Sequence, residues 1–432
     1  MIAEAAWEAG VVGAGGGGAP TYLKLRARAD TVVGNGVECE PLLGADRVTM
    51  RHHAEDVVHG LACAAEALGA VRAVLAVSAR YSDAGEALRR ALPVRGRPAM
   101  EIVAVEPSYP AGDEDVLCRQ LGLVGGTARV FNVQTLRDLA NADEGVPLTH
   151  RYVAVSGAVA APRVLRVPIG APVVDCLRRA VAPGAVLDLE GVLVLAGGPL
   201  RGAVLADPRA ARVDGATASL VVLPRRHRVA LRHAAAAVTA LRRTADACNG
   251  CRRCTDVCPP HRLGAPLQPH RAARAAGHLH ASSGAGLHAT LCTGCGLCDL
   301  YACPLDLSPR AVLASACAGA RTLPLPAPRP GRAPALAVAL VSRAGLVSQL
   351  ELLPWADVPL PLDGAELRPA DVLLPPRGRA LRVAAGARVH VGARLADGDS
   401  ASGLPPLHAS LDGTVTRADA GAVVVSAAER PS

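Results

Sequence analysis

Two cysteine runs, Cys248-x2-Cys251-x2-Cys254-x3-Cys258-Pro259 and Cys292-x2-Cys295-x2-Cys298-x4-Cys303-Pro304, hold eight of the thirteen cysteines in this 432-residue chain. Thiolates two residues apart can reach one iron cluster from a single tight loop. A fourth cysteine set just before a proline points away, towards the other cluster of a two-cluster arrangement. The spacing therefore predicts two [4Fe–4S] cubes. One would sit on Cys248, Cys251, Cys254 and Cys303, the other on Cys292, Cys295, Cys298 and Cys258. Structural zinc favours isolated Cys-x2-Cys pairs over two consecutive steps, and disulfides belong to exported chains. The second run is one residue longer before its last cysteine, which widens the loop without removing a ligand. Such a chain moves single electrons.

Charge and composition narrow the partners. The formal net charge is +8, but two cubes each held by four thiolates carry roughly −2 apiece when oxidised, which brings the loaded chain nearer neutrality. One Phe and two Trp leave almost no platform on which bases could stack, so no nucleic acid is expected as a partner. The first ten residues carry Glu4 and Glu8 and no positive stretch, unlike a signal peptide. No apolar run approaches the ~20 residues of a membrane span. Free thiols and iron–sulfur ligands fit a reducing cytoplasm.

Upstream of the cysteines, the pattern predicts a helix over 1–10, strands over 30–33, 71–78 and 101–105, and helices over 55–68, 83–92 and about 131–142. Alternation of this kind predicts an α/β domain with its site at the strand ends. Gly13-Ala14-Gly15-Gly16-Gly17-Gly18 lies between the first helix and the first strand. Its consecutive N–H groups can line an anion-binding nest, and its missing side chains admit a phosphate or a ring. Alone, that loop reads equally well as a flexible connection, and it matches neither the Rossmann fingerprint nor a Walker A loop. Lys24 is the one lysine in the chain. Kept against an arginine background, it is a candidate for a task that arginine's planar fork does poorly.

Four motifs then occur in a telling order: the Gly-rich loop, Asn35 with Glu38-Cys39-Glu40-Pro41, Tyr109 with Gly112 and Glu114, and Asn132-Val133-x-Thr135. Together they resemble the flavin-binding subunit of respiratory complex I and the C subunit of the Rnf complex. Over nearly the whole chain the resemblance is strongest to the cobalamin reductase family of propanediol-utilisation microcompartments. It implies FMN held by the loop of Gly13, Gly15 and Gly16, with Lys24 near its phosphate. Asn35, Glu38, Tyr109, Gly112, Glu114 and Asn132 would surround the ring and ribityl chain. Glu38 and Glu114 would face the nicotinamide of NADH as catalytic groups. Ala19 stands where the family usually has Phe, Val37 where complex I has an acid, and Phe131 where a second Asn is common. These departures leave the FMN contacts in place and remove contacts to NADH.

The resemblance divides the chain. Residues 1–150 form the FMN/NADH-binding α/β domain and 151–224 a β-grasp (SLBB) domain, with strands over 152–159, 164–168 and 191–196. Residues 225–320 form a helical ferredoxin domain with helices near 230–245 and 268–277. The Pro/Ala/Arg-rich stretch opening 321–370 reads as a linker, and 371–432 as a small lipoyl-like barrel. With no lysine after Lys24, that barrel carries no swinging arm. His261, His270, His278 and His280 read as surface histidines, because eight cysteines already fill two cubes. Cys63, Cys118, Cys176 and Cys317 read as small buried hydrophobes, and Cys39 has no catalytic role.

The fold class is therefore multidomain α/β, and the expected activity is that of an NADH-dependent oxidoreductase. Electrons would pass through FMN and two [4Fe–4S] clusters to a corrinoid, reducing cob(II)alamin to cob(I)alamin. A corrinoid-enzyme partner such as an adenosyltransferase is implied, in the cytoplasm or inside a microcompartment. The alternative is an electron-transport subunit of an Rnf-type membrane complex. Domain order favours the reductase, since the barrel follows the flavin domain here and precedes it in the Rnf subunit.

Overall fold

The computed structural model describes residues 1–93, 98–123, 127–182, 184–235, 237–275, 288–320, 340–363 and 366–428. His278, His280 and most of the expected linker's first half lie outside the described residues. The first strands are β1 (Thr31–Gly36), β2 (Arg72–Ser78), β3 (Ala99–Val105), the short β4 (Ser108–Tyr109) and β5 (Ala128–Asn132). All but β4 form one parallel sheet in the order β3-β2-β1-β5. Continuous burial along β1 and β2 is what a parallel sheet covered on both faces requires. Helices Ala54–Leu68 and Val133–Asp143 pack on each other over this sheet, and Gly60 sets their distance. A Cβ there would lie 1.8 Å from the carbonyl oxygen of Leu136.

The second sheet contains β6 (His150–Gly157), β7 (Arg163–Pro168), β8 (Val192–Ala196), β9 (Ala203–Val204) and β10 (Ser219–Pro224) in the order β7-β6-β10-β8-β9. β6 and β10 pair in parallel; the other pairs are antiparallel. β10 sits in the middle, yet its short apolar run Leu220-Val221-Val222-Leu223 shows no alternation to announce a strand. Cys176 and Leu177 on helix Val173–Arg179 close the core of this sheet. Helices Arg228–Ala234, Ala237–Ala247, Pro269–Arg274 and Pro309–Ala320 then frame the cysteine loops.

The stretch expected as a linker is built structure from Val341 onward. β11 (Val341–Ser342) pairs antiparallel with β4, and helices Arg343–Gln349 and Leu353–Ala356 follow. Leu346, Val347, Leu350 and Leu352 are buried in one core with Tyr109, Leu195, Leu200 and Leu297. Each piece is too short to show a period of its own, so only its tertiary partners make it regular. The last strands are β12 (Asp371–Leu374), β13 (Arg388–Val389), β14 (Arg394–Ala396), β15 (Leu407–His408), β16 (Gly413–Ala418) and β17 (Val423–Ala427), in sheets β12-β17-β16-β13 and β14-β15. They dock on the earlier chain through Arg394 to Glu8, Arg212 to Asp371 at 2.8 Å, and the Leu373 N–H to Gly170 O at 3.0 Å. Among the described residues, no helix is long and apolar enough to cross a membrane.

Candidate flavin and iron–sulfur sites

The parallel sheet ends at the expected flavin residues. Asn35 on β1 stands in register with Asn132 on β5. The Gly-rich loop folds over this end, closed by hydrogen bonds from Gly13 N–H to Ala19 O (2.9 Å) and from Gly18 N–H to Gly13 O (3.2 Å). The Ala14 N–H donates to the Thr135 hydroxyl at 2.9 Å. A Cβ on Gly15 would lie 3.8 Å from that of Asn132, whereas one on Gly16 or Gly17 would meet nothing within 4 Å. The Gly16 backbone turns through φ +89°, open to glycine. An exposed run of backbone N–H groups with free space above it suits a phosphate and ring. Ala19 is exposed on the same rim.

Lys24 Nζ donates to Val130 O at 2.6 Å and pairs with Glu114 at 3.4 Å, both side chains remaining well exposed. Asn35 Nδ2 donates to Gly112 O at 2.8 Å. A Cβ on Gly112 would press on Cys39 Sγ at 3.2 Å, so this glycine keeps the third motif against the second. Asn132 caps helix Val133–Asp143 by accepting from the Gln134 N–H, and its Nδ2 donates to Asp46 at 2.6 Å. Gln134 Nε2 reaches the other Asp46 oxygen at 3.1 Å. No pattern in the sequence singles out Asp46. It opens helix Ala45–His52, and only the fold brings it to Asn132.

The two expected catalytic carboxylates lie in separate networks. Glu114 is half exposed beside Lys24. Glu38 turns inward at φ +42° and accepts from the Asp46 N–H (3.1 Å), the Arg47 N–H (3.4 Å) and the Tyr81 hydroxyl (3.0 Å). Burial, with Asp46 beside it, raises the Glu38 carboxyl from 4.5 to about 8. Burial likewise raises Asp46 to about 6. A carboxyl raised on folding favours the native state fully below its unfolded value, and that contribution is lost as the pH climbs through the folded value. Stability of the flavin-free protein should therefore fall between pH 4.5 and about 8 on account of Glu38. Glu38→Gln should flatten that fall, as read by denaturant midpoints across the range; an unchanged slope would contradict it.

Glu40 and Asp113, neighbours of the expected residues, meet the second sheet. Glu40 accepts from the Leu200 N–H at 2.8 Å and the Arg201 N–H at 3.3 Å, while Arg201 pairs with Asp113 at 2.6 Å. Arg310 donates to Leu200 O at 2.5 Å and pairs with Asp299 at 3.1 Å. Buried Tyr109 donates its hydroxyl to the carbonyl of Cys295 at 2.6 Å. Burial pushes the Cys39 thiol up to about 12, so it stays neutral in this wall. One polar chain thus runs from the flavin motifs to the second cysteine loop.

The two cysteine loops share a backbone. Gly250 and Arg252 take positive φ in the first (+72° and +70°), and Gly294 and Gly296 in the second (+70° and +76°). The left-handed residues fall at matching places, just before and just after the middle cysteine, and curl each loop round one point. Cys248, Cys251, Cys254 and Cys303 line a single small cavity with Arg252 and His270. Cys258 lies in the electrostatic reach of Cys295 and Cys292, and Cys298 in reach of the same two. The first set gathers four soft thiols round one cavity and the second lies within mutual reach, donor sets that fit iron–sulfur cubes. His270 bonds the Thr255 hydroxyl at 2.7 Å and so has another partner.

Fold and site together define an electron-transfer oxidoreductase with a flavin domain joined to a 4Fe–4S domain. Residues 7–136 match the Nuo51 FMN-binding domain, and residues 247–308 a 4Fe–4S dicluster domain. The chain is 33% identical to the cobalamin reductase PduS of Salmonella typhimurium, across 98% of this chain and 96% of that protein. It is 32% identical to the PduS of Citrobacter freundii, across 71% of this chain and 69% of that one. A third relative, the C component of the Na(+)-translocating ferredoxin:NAD(+) oxidoreductase complex of Acetobacterium woodii, is 34% identical, across 45% of this chain and 46% of that protein. The chain belongs to the PduS cobalamin reductase family.

Proposed function

We propose that this protein takes electrons from NADH and delivers them one at a time to a corrinoid, reducing cob(II)alamin to cob(I)alamin. When bound, FMN and two [4Fe–4S] clusters supply the redox chemistry, dividing a two-electron donor into single-electron steps. The Gly13–Gly18 backbone and Lys24 would hold the FMN phosphate. Asn35, Gly112 and Asn132 would position the ring, with Tyr109, Glu38 and Glu114 in the surrounding wall. Cys248, Cys251, Cys254 and Cys303 would hold one cluster, and Cys258, Cys292, Cys295 and Cys298 the other. We read the five-stranded sheet as the SLBB β-grasp domain and the C-terminal strands as the lipoyl-like barrel.

The observation that carries this reading is the Tyr109 hydroxyl on Cys295 O at 2.6 Å. It ties the loop three residues before Gly112 to the backbone of a cluster ligand, so the two centres would share one rigid wall. Likeness to a cobalamin reductase along nearly the whole chain, against about half for the C subunits of the ion-translocating complexes, favours the corrinoid as acceptor.

The test is anaerobic. Reconstituted protein with NADH and cob(II)alamin should oxidise NADH and yield cob(I)alamin, trapped by alkylation. Turnover with ferredoxin and none with cob(II)alamin would support the membrane-complex reading instead. Lys24→Ala should weaken FMN about tenfold or more, because a hydrogen bond to a charged group contributes ~1.5–3 kcal/mol. Equal flavin retention in variant and wild type would remove Lys24 from the phosphate site.

A further inference from the structure

Cys63 departs from its expected place among the buried hydrophobes. It is half-buried on helix Ala54–Leu68, one turn after His59, so the two side chains share a face. Asp143, the last residue of helix Val133–Asp143, meets them there. His59 Nε2 lies 3.0 Å from Asp143 Oδ2 and 3.6 Å from Cys63 Sγ, and the three ligand atoms all fall within 4.8 Å of one another. None of the three takes part in the flavin or cysteine-loop networks above.

We propose that His59, Cys63 and Asp143 form a further metal site, separate from the two cysteine sets, one that takes a single zinc-class divalent ion. Zn–S bonds of about 2.3 Å and Zn–N bonds of about 2.0–2.1 Å, set at a tetrahedral angle, place sulfur and nitrogen ~3.6 Å apart. The structure holds Cys63 and His59 at 3.6 Å already. The same geometry asks for ~3.4 Å between nitrogen and carboxylate oxygen, a few tenths beyond the 3.0 Å observed. One imidazole, one thiolate and one carboxylate make a mixed set that suits zinc.

The scaffold beneath is stiff. Gly60 lies between the two ligands of its helix and brings that helix into backbone contact with Leu136, seven residues before Asp143 on the partner helix. The His59 and Asp143 side chains are 49% and 44% exposed, so an ion can enter from solvent. Water then completes the tetrahedron at the open position. On binding, the Cys63 thiol gives its proton to solvent and the sulfur takes up the metal bond. Without the ion, burial and the Asp143 charge keep that thiol protonated, pushed up to about 12.

The experiment uses the full chain with flavin and iron–sulfur clusters loaded, so that the cluster cysteines are occupied. It is dialysed anaerobically against micromolar Zn2+, and zinc and iron are counted together. Expected is one zinc per chain with iron undiminished, and a zinc absorption-edge spectrum showing one sulfur at about 2.3 Å. Cys63→Ser and His59→Gln should each lower zinc affinity about tenfold or more, since even the loss of an outer partner of a ligand costs that much. His59 is exposed and Cys63 half-buried, and unchanged iron and flavin contents would show that the variants are folded. Equal zinc uptake by wild type and both variants overturns the proposal. So does zinc gained only as iron is lost, which would place the metal at the cysteine loops.

Discussion

Replacing Cys251 by alanine is expected to lower the non-haem iron of the reconstituted protein from about eight to about four per chain. Cys251 is the exposed thiol of the first loop, and its removal leaves Cys248, Cys254 and Cys303 round the same cavity. The second loop has its own left-handed turns at Gly294 and Gly296 and its own buried thiols, Cys295 and Cys298. Among the described residues, no backbone hydrogen bond joins it to Cys251. One cube should go and the other persist, seen as the loss of one of two signals in electron paramagnetic resonance of the reduced protein. On the proposed route, reduction of bound flavin by NADH should continue while delivery to the corrinoid collapses. Cys118→Ala, outside both loops, should keep all the iron. Unchanged iron in Cys251→Ala would break the assignment of the first set.

The second large effect is expected at Arg151. Its side chain is 1% exposed and pairs with Asp138, itself 3% exposed. Nε donates to Gly215 O at 2.6 Å and Nη2 to Val12 O at 2.9 Å. One guanidinium thus ties the strand entering the second sheet, the helix capped by Asn132 and the residue before the Gly-rich loop. Arg151→Ala strands the Asp138 carboxylate, with Arg137 still 3.9 Å away, and unsatisfies two carbonyls. Breaking such a pair from one side costs ~3–5 kcal/mol. Denaturant unfolding of the full chain should show that loss, and flavin retention should fall with it because Val12 is no longer held. The double variant Arg151→Met/Asp138→Leu should recover most of the stability, because neither ion of the buried pair remains. A single variant within about 1 kcal/mol of wild type would mean that water reaches Asp138.

The cysteine spacing, the glycine loop and the two asparagine motifs were all legible in the chain as written. Each depends on backbone reach over a few residues, and short-range geometry is written in the order of residues. Helix Ala54–Leu68 and strand β2 were readable for the same reason, since their periods span enough residues to be seen, whereas strand β5, read as the start of a helix at 131, and helices Ala45–His52 and Glu114–Gln120 were not. Contacts across the chain were not. Glu38 reads as an open carboxylate until the Asp46 and Arg47 N–H groups fold onto it, eight and nine residues on. Arg201 is one arginine among many until it meets Asp113, 88 residues away. Residues 341–356 look like the tail of a linker because their strand needs β4 and their leucines need Leu200 and Leu297. The linear pattern marks the candidate residues for flavin and iron. The packing of distant segments decides which carboxylates are buried and neutral, which tyrosine touches a cysteine loop, and which cysteine stands beside a histidine, because desolvation and hydrogen bonding act between neighbours in space.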